Sequence, residues 1–144
     1  LDSIVTLSRD IYQIGRFPAI DILKTSSRIL SPGVVGIDHY ETVLKSLIIL
    51  KKAESLERMV ALVGESELSP ENQTVYKMAK LLSNYMTQPF FVAEEQTGRK
   101  GQYVSLSKTI LDVKDILSGK YNNLNPDDLL FIGAIENKLK DGSK

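Results

Sequence analysis

The 144-residue chain carries 18 basic and 18 acidic side chains, so its net charge is zero and nothing points to a nucleic-acid or acidic-membrane partner. It has no cysteine and a single histidine, which excludes disulfides, thiolate metal sites and multi-histidine metal centres. No apolar run reaches the roughly 20 residues needed to span a bilayer, and the phosphate loop Gly-x-x-x-x-Gly-Lys-Ser/Thr is absent, so this stretch alone cannot cradle a triphosphate.

Leu1 is not a Met, and it opens directly into Ile4-Val5-Thr6-Leu7, a β-branched apolar run suited to a buried strand. The chain therefore reads as a piece of a longer polypeptide. Ser8 to Ile14 predicts a short helix ended by Gly15. Pro18 then disfavours helix at Phe17, so Arg16 to Asp21 reads as extended. Pro32-Gly33 marks a boundary, and the domain seam falls near Gly36: residues 1–36 form one part and 37–144 the other.

Asp38 and Glu41 have the spacing of a capping box, which predicts a helix from Asp38 to Val63. Tyr40, Val43, Leu44, Leu47 and Ile48 share one helical face, as do Leu56, Met59, Val60 and Val63. Lys51 to Glu54, between the two sets, marks a bend or a wet stretch. Ser69 with Pro70 opens a second helix whose core stripe is Val75, Met78, Ala79, Leu82, Tyr85 and Met86. Gln88-Pro89 closes it. Phe90-Phe91-Val92-Ala93 is too apolar for a solvated loop and predicts a buried connector, or a slot for a flat ring. A third helix covers Ser105 to Ser118, with Leu106, Ile110, Val113, Ile116 and Leu117 inward. Asn125-Pro126-Asp127-Asp128 opens a fourth that contains Gly133, where a close helix–helix contact is expected. Asp141 to Lys144 reads as a frayed tail.

Gln88-Pro89-Phe90-Phe91-Val92-Ala93-Glu94, followed by Thr97-Gly98, closely resembles the catalytic beta subunit of rotary F-type ATP synthases. Leu7-Ser8-Arg9, Pro18-Ala19-Ile20-Asp21, Ser26-Ser27-Arg28, Val35-Gly36 and His39-Tyr40 extend the resemblance along most of the chain. The resemblance implies an adenine pocket formed by Phe17, Pro89, Phe90, Ala93 and Gln96. Phe17 stands where the family has a tyrosine, and Gln96 where it has a second aromatic. It also implies that Arg28 and Tyr40 face the nucleotide and interface of a neighbouring alpha subunit. Leu44 takes the place of a further interface arginine.

The tip Glu67, Leu68, Ser69, Pro70 and Glu71 corresponds to the family's contact with the central rotor shaft, with Ser66, Pro70 and Asn72 where acids are usual. Taken without the resemblance, the same tip is an ordinary capped turn. His39 has no partner in sequence to orient it as a base.

The expected fold is mainly α, a C-terminal helical bundle preceded by a short strand and loop remnant of an α/β nucleotide-binding domain. The resemblance implies a role in coupling ATP synthesis or hydrolysis to rotation, with ATP or ADP and Mg in the intact subunit. Its phosphate, metal and general-base residues would lie outside this chain. The implied partners are alpha subunits and the rotor shaft. The implied location is the cytoplasmic face of a cell membrane or the matrix side of the inner mitochondrial membrane, without direct insertion. Pro18-Ala19-Ile20-Asp21 also resembles the ATPases of type III export systems. A stand-alone helical interaction module would equally explain the missing phosphate loop.

Overall fold

A computed structural model describes residues 1–141. Strand β1 (Ser3–Ile4) pairs antiparallel with β2 (Ser26–Ser27), and one further bridge joins Leu7 to Ile20. The Ile4–Leu7 run is therefore mostly not strand, and it is not buried: Ile4, Val5 and Leu7 are all exposed. A two-stranded ribbon has no second layer to cover their side chains. Ser8 caps α1 (Arg9–Gln13) by accepting from the Ile11 amide at 3.4 Å. Asp21 caps the tight turn Ile22–Lys24, and α2 (Pro32–Val35) leads into the bundle.

The longest element, α3 (Ile37–Val63), runs 27 residues without interruption, about 40 Å at 1.5 Å per residue. Its cap is Gly36, not Asp38, which sits inside the first turn and instead pairs with Lys114 at 2.6 Å. The helix continues through Lys51–Glu54, where Ala53 is buried while Lys51 and Lys52 reach outward to Glu54 and Glu71.

The inward face of α3 also differs from expectation. Thr42, Ala53 and Leu56 are buried, with Ile49, Leu50 and Val60 packed beside them, whereas Leu44, Ile48, Met59 and Val63 are exposed. Small residues face the neighbouring helix because they let the backbones approach. The Thr42 hydroxyl is satisfied by donating to the Asp38 carbonyl at 2.7 Å, so its burial costs little.

Helix α4 (Pro70–Tyr85) begins as expected, with Ser69 accepting from the Asn72 amide and Pro70 at the first position. It packs chiefly on α3. Tyr76, Ala79, Leu81, Leu82, Asn84 and Tyr85 are buried, while Met86 is exposed. A short turn Phe91–Ala93 and α5 (Glu94–Thr97) form the connector, and α6 (Leu106–Leu117) follows, capped by Ser105. Val113 and Ile116 of α6 are buried as expected, but Leu106 is exposed.

The expected fourth helix is broken. A tight turn Pro126–Leu129, capped by Asn125, gives way to an irregular stretch before α7 (Ile135–Asp141). Gly133 adopts φ 72, and a Cβ there would strike the side-chain oxygen of Gln102. The nearest approach is thus to the connector, with Asn137 of α7 next at 3.2 Å. The Ile135 amide donates to Asp112 Oδ2 at 3.1 Å in place of a preceding helical turn. Residues 142–144 of the expected frayed tail lie outside the described residues, and Asp141 ends α7.

Two apolar clusters hold these elements. Leu81, Leu82, Tyr85, Val113, Ile116, Tyr121, Leu129 and Ile135 join α4, α6 and α7. Ala53, Leu56, Leu68, Tyr76 and Ala79 join α3 to α4 near the tip. Leu50 packs against both. The molecule is a helical domain with a small ribbon at its beginning.

Candidate functional site

The ring of Phe17 is the point where three distant parts of the chain meet. Tyr12, on α1, presents its edge to Phe17 at 5.4 Å between centroids and 83° between planes. Phe131 also lies against the Phe17 ring, at 6.4 Å between centroids and tilted by 33°. Such offset and edge-on arrangements suit the ring quadrupoles. The Phe17 carbonyl accepts the Gln88 amide at 2.8 Å, which ties this N-terminal segment to the start of the connector. The Phe17–Pro18 peptide is cis.

The connector folds back on itself. The Gln102 amide donates to the Pro89 carbonyl at 3.1 Å, closing the loop, and the Gly101 amide donates to Glu94 Oε1 at 2.7 Å. A Cβ on Gly101 would lie 2.6 Å from the Phe91 backbone, so this close crossing admits glycine and no larger residue. Beyond Gly98, which ends α5 in the left-handed region, Arg99 places its guanidinium 4.2 Å from the centre of the Phe131 ring. Connector and ring cluster are thereby joined a second time.

Of the five residues expected around a base, Phe17 is half-buried within the cluster and Pro89 is buried under the loop closure. Ala93 is half-buried and its carbonyl accepts from the Thr97 hydroxyl at 2.7 Å. Phe90 and Gln96 are exposed, and the partner ring of Phe17 across the loop is Phe131 rather than Phe90. Contrary to the buried connector expected, Phe91 and Val92 also face outward. Phe131 escaped the sequence reading because it was assigned to a continuous helix. Arg99 escaped it because a charged residue in a Gly-bounded turn ordinarily reads as solvated.

Arg28 is exposed, with its amide on the Asp2 carbonyl at 2.7 Å, and Tyr40 is half-buried on α3. Among the described residues no hydrogen bond joins their side chains. His39 is half-buried beside them in sequence. Among the described residues no group of three or more His, Asp or Glu side chains converges as a metal site would require of protein ligands alone.

At the opposite end, α3 stops at Gly64 and the turn Glu65–Glu67 leads to Leu68. Leu68 is only 4% exposed and belongs to the second apolar cluster, while Glu67, Ser69, Pro70 and Glu71 are exposed. Gln73 straps the turn by donating to the carbonyls of Ser66 and Leu68 at 3.0 and 2.9 Å. Glu65 pairs with Lys80 at 2.7 Å, and Glu71 with Lys52 at 3.0 Å. The tip is an apex strapped by these bonds, with its charges on the outside.

Residues 29–124 match the family model described as the C-terminal domain of V and A type ATP synthase. The chain belongs to this family. The type is V/A rather than the F-type beta subunit that the motifs resemble, within the one superfamily of rotary ATPases. The fold is similar to the structure of a unique ATP synthase subunit, NeqB, from Nanoarcheaum equitans. The TM-score is 0.69 at 23% identity, over 86% of this chain. The chain spans 28% of NeqB's length. The span matched by the V/A family model includes the tip and the connector with Arg99, whereas Phe17 and Phe131 lie outside it. No helix among the described residues is long and apolar enough to cross a membrane.

Proposed function

We propose that this V/A-family domain is the C-terminal lever of a nucleotide-binding subunit in a rotary ATP synthase or ATPase. The ring cluster supplies the adenine side of the nucleotide pocket, and the apex at Glu67–Glu71 faces the central shaft. One observation carries the reading: the Gln88–Phe17 hydrogen bond brings the start of the resembling Gln88–Ala93 segment to an aromatic cluster that joins the Tyr12–Phe17 stretch to Phe131. The resemblance of Gln88–Ala93 favours a catalytic subunit.

In this reading the base rests against Phe17, and the phosphates, magnesium and attacking water are held by residues elsewhere in the subunit and its alpha-type neighbours. The domain itself does no bond-breaking. It orients the base and transmits pocket closure through α4, whose two ends lie at the connector and at the apex. The subunit works in a peripheral complex at a membrane surface.

Stacking a base on an aromatic side chain is worth about 1–3 kcal/mol, and 1.4 kcal/mol is about tenfold in affinity. Phe17→Ala in the assembled complex should therefore weaken MgATP binding about tenfold or more. Phe17→Tyr should bind almost as the parent does, because the ring face persists. Unchanged MgATP affinity in Phe17→Ala overturns the reading.

A further inference from the structure

Phe131 is held in a conformation that a large side chain rarely adopts. Its φ is 56, among residues whose other left-handed members are glycines. Such a residue persists only where its surroundings over-determine it, and that pattern gathers at sites of function. Here the fixing groups are plain. The Phe131 amide donates to Thr87 Oγ1 at 2.8 Å, and Thr87, itself buried, donates that hydroxyl to the Asn84 carbonyl at 2.6 Å. Asn84 also donates to the Pro126 carbonyl at 3.0 Å, which anchors the start of the same segment. The segment is thus fastened to the end of α4 at Pro126 and again at residue 131 itself.

What the fastening secures is a ring that the apolar core does not use. Phe131 belongs to neither cluster. It is half-buried, between Phe17 and the exposed Arg99. Arg99 pairs with no carboxylate among the described residues; its charge is placed over the ring face instead. A filler position would be served by Leu in an ordinary conformation. This one holds an aromatic plane at a set tilt against the residue expected to meet the base.

We propose that Phe131, fixed by Thr87 and covered by Arg99, is a positioning residue for Phe17. Tyr12 and Phe131 both pack against the Phe17 ring and set the plane in which it receives a purine base. The inference rests on the adenine reading of Phe17 and deepens it: Phe131 touches Phe17, and acts on the base through it.

The test uses the full-length subunit in the assembled complex, with MgATP and the base-free probe Mg-tripolyphosphate. Phe131→Leu should weaken MgATP binding about three- to tenfold, the scale of one aromatic pair. It should leave tripolyphosphate binding unchanged, and Phe131→Tyr should restore the parent affinity. In a Phe17→Leu background, Phe131→Leu should add less than about twofold, because its effect passes through that ring. Phe131→Met serves as a second variant if the Leu form fails to assemble.

Equal losses for both probes, or additive losses in the double variant, would show that Phe131 merely supports the fold. A silent Phe131→Leu beside a sensitive Phe17→Leu overturns the positioning role and leaves the adenine reading standing. Insensitivity of Phe17→Leu itself removes both.

Discussion

Tyr85 on α4 donates its phenol to Asp112 Oδ2 on α6 at 3.0 Å, and both residues are 1% exposed. The same oxygen accepts the Ile135 amide at the start of α7, and Lys108 reaches the other oxygen at 2.8 Å. One carboxylate therefore ties three helices at the centre of the larger cluster. A buried charge is tolerated when its lone pairs are filled, and removing it strands every donor around it.

Asp112→Ala should destabilise the chain by about 3–5 kcal/mol, the range for breaking a buried polar pair from one side. Asp112→Asn keeps an acceptor for Tyr85 and should cost clearly less. Lys108→Ala should cost least, since its side chain is partly exposed and solvent already screens it. Equilibrium unfolding in urea gives the three values. An Ala variant within 1 kcal/mol of the parent, on the measurement scale of such curves, would mean that the network is passive.

The same network sets an alkaline limit. Burial, and then the Asp112 charge, push the Tyr85 phenol well above the usual tyrosine range. The hydrogen bond to Asp112 raises Lys108 as well. Both groups thus hold their protons more tightly folded than unfolded. As pH climbs through about 10, the unfolded chain releases those protons first, so stability present below that point is lost above it. Urea midpoints should hold below about pH 10 and fall as pH rises beyond it, and Tyr85→Phe should flatten the fall while leaving the part due to Lys108. A slope unchanged by Tyr85→Phe would place the alkaline loss elsewhere.

This network also shows where the sequence stopped being legible. Ser69, Ser105 and Asn125, two of them followed by proline, announce helix or turn starts because a cap is a local matter of one side chain and one amide. Asp112 could not be foreseen. Its (i, i+4) spacing from Lys108 looks like a solvated ion pair, and its partners Tyr85 and Ile135 are distant in sequence.

The inner face of α3 was misread for a related reason. The helix carries apolar residues on two opposite sides, and its buried side includes Thr42 and Ala53 rather than the bulkiest residues. Periodicity reports which residues share a face, not which face meets a neighbour. At the candidate site, the motif singled out Phe17, Pro89 and Ala93 but gave no hint of the rings that pack on Phe17. Phe131 depends on a break at Gly133, where the positive φ and the contacts to Gln102 and Asn137 are set by distant parts of the fold.

At the apex, shape should count for more than charge. Glu71 is exposed and its partner Lys52 partly so, an arrangement worth little in water. Leu68, by contrast, is sealed beneath the turn with Ala53, Leu56, Tyr76 and Ala79. Glu67→Ala with Glu71→Ala in an assembled complex should leave most torque intact, whereas Leu68→Asp should uncouple hydrolysis from rotation by opening the turn. Single-molecule rotation against load distinguishes the two. Equal loss in the charge-only double variant would show that electrostatics carries the push.

The connector supplies the last prediction, because one crossing fixes its shape. A methyl group on Gly101 would lie 2.5 Å from Cδ1 of Phe91 and 2.6 Å from its Cα, and the second of these is backbone that cannot swing aside. Gly101→Ala must therefore part the two strands of the loop, straining the Gly101–Glu94 and Gln102–Pro89 hydrogen bonds and shifting Arg99 from Phe131. Little of this touches the two clusters, which contain no connector residue, so the thermal midpoint should move only slightly. MgATP affinity in the assembled complex should fall several-fold, and the bonds around Arg99 and Lys100 should become more sensitive to trypsin. Gly33→Ala is the matched control: it meets nothing within 4 Å and lies in α2, so it should bind nucleotide as the parent does. Adding Phe91→Ala to Gly101→Ala removes the ring contact but not the backbone one, and so should restore affinity only in part. Full restoration would show that the ring alone sets the crossing. No loss in Gly101→Ala would mean that the loop's shape is irrelevant to the base.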